Sequence, residues 1–169
     1  MTDETCYHEA GHAVTAYLLG GIPERLVLGQ ADDDVLPDHF GQCRVAWPSP
    51  DPMRTGPGSR QIDRPYRELM TLVAGLVAEQ IYAAVDFDQE NLRASAYDLQ
   101  AAFDLSRAIG GDEALAARRV RAAVASVRQV LQRDSMWAAV AALADELDAH
   151  EVLEQAEIAE VLDFWLNRD

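Results

Sequence analysis

The stretch His8-Glu9-Ala10-Gly11-His12-Ala13-Val14-Thr15-Ala16-Tyr17-Leu18-Leu19 decides how the chain is read. Two histidines four positions apart stand on nearly the same face of a helix, about one turn apart along its axis, so both imidazoles can reach a single metal ion. Glu9 is turned by roughly 60° from His12 and therefore flanks such an ion without binding it. This is the physical content of the H-E-x-x-H pattern: two ligands, and a carboxylate placed to take a proton from a water on the metal. The competing reading is a pair of histidines on a capped, solvated helix face. The helix itself is well signalled. Thr2 or Asp3 can cap its start, Val14, Tyr17 and Leu18 recur at helical spacing, and Gly20-Gly21 followed by Pro23 stops it. A zinc-site helix over residues 1–20 is the expectation, and the rest of the chain must supply a third ligand and a place for substrate.

Beyond that helix the pattern changes. Arg25-Leu26-Val27-Leu28-Gly29 is short and β-prone, and the acidic run Gln30-Ala31-Asp32-Asp33-Asp34 after it reads as a solvated turn rather than a calcium loop. In Gln42-Cys43-Arg44-Val45-Ala46-Trp47, the residues Cys43, Val45 and Trp47 alternate with polar neighbours, the period of a half-buried strand. Together they predict a small antiparallel β region over residues 24–47, closed by Pro48. His39 precedes the second strand as a possible extra ligand, although an isolated loop histidine is usually surface. Residues 48–65 hold Pro48, Pro50, Pro52, Gly56, Pro57, Gly58 and Pro65 and read as a long loop, either a lid or a connection.

The remainder, residues 66–169, reads as helices. Pro65 suits a first helical position, and Leu69, Leu72, Val73, Leu76, Val77 and Ile81 form a broad apolar stripe running to about Val85, the mark of a central helix. Glu79 lies within it and requires a partner. Ser95-Ala96-Tyr97-Asp98 opens a third helix that ends at Gly110-Gly111. Asp98 falls in its first turn, where a carboxylate is favoured by the helix dipole whatever else it does. Asp112 caps a fourth helix carrying Leu115, Val120, Val124, Val127 and Leu131. A fifth starts at Ser135 with Trp137, Val140, Ala144 and Leu147, and a last one carries Ile158, Val161, Leu162 and Trp165. His150 is expected in the connection between these two, on the surface.

Composition sets bounds. The chain has 169 residues, 49% of them hydrophobic, enough for one domain with a real core. A formal net charge of −15 argues against nucleic acid or an anionic membrane surface as partner. There is no basic start followed by an apolar core and no apolar run near the ~20 residues that span a bilayer, so a cytoplasmic protein is expected. Cys6 and Cys43 have neither the number nor the spacing of a disulfide framework, and both read as ordinary small core or surface residues. Cys6 precedes His8 by two positions and so points away from the histidines on a helix.

Catalytic zinc takes three protein ligands and leaves a position for water. Thr15 and Leu18 stand where the metzincin pattern has glycine and histidine, which excludes that class. A thermolysin-like arrangement would draw on Glu68 or Glu79 from the next helix. The residues themselves leave Glu79, Asp86, Asp88 and Asp98 open.

The run from Thr5 to Val14 closely resembles the zinc-site helix of the FtsH family, the membrane-bound ATP-dependent metallopeptidases. Phe40-Gly41-Gln42 and the strand ending in Pro48 resemble that family's substrate-side strand. Ala74-Gly75-Leu76-Val77-Ala78-Glu79-Gln80-Ile81 is similar to its Gly-Gly-x-x-Ala-Glu-Glu helix, and Ala94-Ser95-Ala96-Tyr97-Asp98-Leu99 to the Ser-Asn-Asp-Leu segment that gives the third ligand. Leu143-Ala144-Asp145-Glu146-Leu147 and Glu157-Ile158 resemble its closing helices. The resemblance covers essentially the whole chain and implies a single mainly α, FtsH-peptidase-like domain over residues 1–169, with a small antiparallel β element between the first and second helices. It also implies that Asp98 joins His8 and His12 as metal ligand, while the motif itself makes Glu9 the general base and Glu79 is a candidate to support a histidine from outside the ligand set. Substrate would lie extended beside Gly41, Gln42, Cys43, Arg44 and Val45. The chain departs from the family in having Tyr97 for the usual asparagine, Gln80 for the second glutamate, and a different segment at 48–65, and nothing in it matches the ATPase module or the membrane anchor. The expectation is a zinc-dependent peptidase acting on peptides or unfolded proteins, with room for a separate unfoldase and for a homo-oligomer. Its rival is a catalytically inactive or regulatory metal-binding interaction module with the same fold.

Overall fold

The computed structural model describes residues 2–29, 41–49, 62–85 and 96–166. The motif helix, α1, runs from Thr2 to Leu18 with Asp3 and Glu4 in its first turn, where carboxylates complement the exposed N–H groups. Gly20, with φ of +81°, turns the chain out of it, and the Gly21 N–H closes on the Ala16 carbonyl at 2.8 Å. Strand β1 (Ile22–Leu28) follows at once and pairs antiparallel with β2 (Gly41–Ala46), with Leu26 opposite Cys43 and a register shift between Pro23 and Arg25. A proline cannot donate to the ladder, so an irregularity there is expected.

Helix α2 (Arg64–Tyr82) has Pro65 in its first turn and buries Leu69, Val73, Leu76 and Val77 along with most of their neighbours. It is the central helix foreseen from its broad apolar stripe, packed against α1, against α3 (Ala96–Ile109) and against α4 (Glu113–Leu131). Asp112 caps α4 through its side chain, accepting from the Leu115 N–H at 2.8 Å. Helix α5 (Asp134–His150) packs on α1, and α6 (Gln155–Leu166) packs on α5 and β1. The apolar interior is concentrated here. Leu131, Leu143, Leu147, Leu153, Ile158 and Leu162 are fully buried, each such side chain contributing about 1.5–3 kcal/mol on removal from water.

The domain is thus mainly helical with a small antiparallel sheet, as expected, but the sheet is larger than the sequence suggested. A third strand, β3 (Val152–Glu154), interrupts the expected all-helical part 66–169 and pairs with the far side of β1, giving the order β2-β1-β3. Only three residues long, it lies between two helices and takes its partner from more than a hundred positions earlier, so no local alternation marks it. The turn that allows it is made by Glu151, whose φ of 61° ends α5 in a left-handed conformation. Its carbonyl accepts from the Leu28 N–H at 2.7 Å. His150 accordingly is the last residue of α5 rather than part of a connection, although it is exposed as expected, 3.3 Å from Glu146. The acidic turn after β1, with His39, the greater part of the 48–65 loop, and Asp86, Asp88 and Ser95 lie outside the described residues. No helix among the described residues is long and apolar enough to cross a membrane.

Candidate metal centre

Helix α1 delivers His8 and His12 one turn apart, and α3 delivers Asp98 from its first turn, 90 positions further along the chain. The three meet. His8 Nε2 lies 2.9 Å from Asp98 Oδ2, His12 Nε2 lies 3.2 Å from the same oxygen, and the two ring nitrogens are 2.9 Å apart. Tetrahedral bonds of about 2.0–2.1 Å place neighbouring donor atoms roughly 3.3 Å apart, so this triangle is close to what one ion needs. The three side chains could hold a metal ion.

Each histidine is also held from behind. His12 Nδ1 donates to the Thr71 carbonyl of α2 at 2.7 Å, which leaves Nε2 as the nitrogen directed at the centre. His8 Nδ1 lies 2.9 Å from Glu79 Oε1, a contact of charges rather than an aligned hydrogen bond. Glu79 is therefore beside the site and not in the donor triangle. Glu68, the other candidate on that helix, faces Arg64 at 2.7 Å.

The electrostatics follow from this crowding. Burial alone would lower the His8 pKa, but the bond with Asp98, the contact with the Glu79 carboxylate and the nearby charge of Glu9 outweigh it and raise it to about 10. Burial would raise Asp98, yet its bonds to His12 and His8 bring it well below the usual carboxylate range.

Glu9 is buried on the same turn of α1. Its charge is felt both by His8 and by Cys43 of β2, whose thiol is pushed well above its ordinary value by burial and then by Glu9 and Asp98. The middle of β2 thus borders the site. Within the expected substrate-side segment, Cys43 lies toward the carboxylates and Val45 packs beside the Gly21 backbone, while Arg44 points outward to Glu24 at 2.7 Å. Gly41 and Gln42 pair with Leu28 and Val27. Because β1 takes β2 on one side and β3 on the other, the second edge of β2 has no partner strand among the described residues. Cys6 faces the other way, as its offset from His8 predicted, with Sγ 3.9 Å from Asp148 on α5.

Two contributors were not foreseen, the Thr71 carbonyl and Gly75. Backbone carbonyls carry no sequence signal. Gly75 does carry one, since a glycine within a buried helix calls for a close neighbour. No protein-family model matches the chain, and a search of curated proteins finds no match.

Proposed function

We propose that the protein is a zinc-dependent peptidase acting on extended peptides or unfolded proteins. The observation that carries this reading is the convergence of His8 Nε2, His12 Nε2 and Asp98 Oδ2 within 3.2 Å of one another, with Glu9 buried beside them. Two nitrogens and one carboxylate oxygen are a donor set suited to zinc with a coordination position left free.

His8, His12 and Asp98 would hold the ion, and Thr71 and Glu79 keep the two imidazoles turned toward it. Bound there, zinc supplies Lewis acidity, polarising a carbonyl oxygen and acidifying water. Glu9 takes the proton from the attacking water and passes it to the departing amine. The edge of β2 that has no partner strand among the described residues accepts the backbone of an extended peptide, so that recognition depends on main-chain bonds more than on particular side chains. Such a site selects for unfolded segments.

The test has two arms. Glu9→Gln keeps about one equivalent of zinc and loses casein hydrolysis by at least about a hundredfold, whereas Asp98→Ala loses the zinc as well. Casein cleavage by Glu9→Gln at the parent rate would show that Glu9 is not the base. Zinc bound by the parent without any chelator-sensitive hydrolysis would favour the interaction module instead.

A further inference from the structure

Three residues of α2 lie in one row, spaced four apart, against the two histidines of α1. Thr71 holds His12 through its carbonyl, Glu79 touches His8, and between them stands Gly75. A Cβ built on Gly75 would stand 2.5 Å from His8 Cε1 and Nε2 and 2.6 Å from His12 Nε2. These are the donor atoms themselves and their nearest neighbour. Real Cβ atoms do not approach other atoms so closely, so any side chain at 75 must displace both imidazoles or part the helices.

The helices cannot part easily. On the same seam Gly11 of α1 faces α2 in return, and a Cβ there would meet Ala78 Cβ at 2.6 Å and the Ala74 carbonyl oxygen at 2.7 Å. Backbone thus lies against backbone, and the separation of α1 and α2 is fixed by two missing side chains. Nor can the rings swing away freely, since both histidines are buried and each is held at Nδ1 by Thr71 or Glu79.

We infer that Gly75 is the positioning residue of the metal centre: its absent side chain is the space in which the two imidazoles converge. This rests on the metal-site reading and adds to it a residue that neither binds the ion nor touches substrate. Its role also differs from that of Gly11. Gly11 meets only α2 atoms, so its loss strains the helix pair, while the loss of Gly75 falls first on the ligands.

The experiment uses the full chain and Gly75→Ala, read by zinc titration against a chromophoric competitor, by the visible spectrum of the cobalt-substituted protein, and by far-ultraviolet circular dichroism. Gly75→Ala is expected to keep the helical spectrum, to bind zinc about a hundredfold more weakly, on the scale of lost ligand support, and to show an altered cobalt spectrum. Zinc binding within threefold of the parent, with an unchanged cobalt spectrum, would overturn the proposal. If Gly75→Ala does not fold, the same substitution is made in a His8→Ala, His12→Ala background, where the rings it would meet are gone. Recovery of folding there upholds the assignment to the imidazoles, and failure to recover refutes it. None of these readouts depends on peptide hydrolysis. A parent that binds no zinc would count against the metal reading itself, while the folding comparison still reports on the contact at Gly75.

Discussion

The buried apolar residues of α1 are Cys6, Ala10, Ala13, Val14 and Ala16, whereas the stretch from 131 to 162 buries the large side chains of Leu131, Leu143, Leu147, Leu153, Ile158 and Leu162. The first set is small and lets another helix approach until the Gly11 backbone lies against that of Ala74 and the Gly75 backbone against the two imidazoles. The second is large and fills volume. Apolar area sets the free energy of folding in the second region, while in the first the gain per residue is slight and what is obtained is distance. The three side-chain atoms that converge within 3.2 Å sit on the region of small side chains, away from the large leucines.

The contrast can be broken by measurement. Leu147→Ala is expected to lower unfolding stability in urea by about 2–5 kcal/mol and to leave zinc stoichiometry near one. A variant that lost its metal in proportion to its stability would erase the distinction between the two regions. Gly11→Ala should cost less in stability, about 1–3 kcal/mol from overpacking, yet weaken zinc binding more than Leu147→Ala does. Its measure is the pair of quantities taken together, and an unchanged zinc affinity would mean that helix separation does not govern the site. The smallest effect is expected at the edge of the leucine-rich region. Glu151 holds φ of 61° at the end of α5, and Glu151→Gly should stabilise by up to about 1 kcal/mol with no change in zinc affinity. A loss of stability there would show that the Glu151 side chain contributes more than its backbone strain removes.

What the sequence made legible, and what it did not, follows the range of the interactions. The helices were readable because their signals are local: the apolar spacing of α2, the Asp112 cap, and the glycines that end α1 and α3. His8 and His12 were readable for the same reason, being one helical turn apart. Asp98 was not reachable by spacing, since its partners stand 86 and 90 positions away. Only the likeness of its surroundings to a known segment singled it out from Glu79, Asp86 and Asp88. Strand β3 escaped because three residues carry no period and its pairing with β1 is entirely non-local. Gly75 escaped for a different reason. Its meaning is a void shaped by another helix, and a pattern read along one chain segment records what a residue contributes, not the room it leaves.

The pairing of His8 with Asp98 has one more consequence. With 90 positions between them, an ion gripped by both would close a loop covering more than half of the chain, much as a crosslink does, and it would have to be surrendered whenever the chain unfolds. At a free concentration a thousandfold above its dissociation constant, such a ligand adds about 4.1 kcal/mol to stability. Metal supply would then govern the lifetime of the folded chain as well as its chemistry, so that metal-starved copies would be the first exposed to degradation by other proteases.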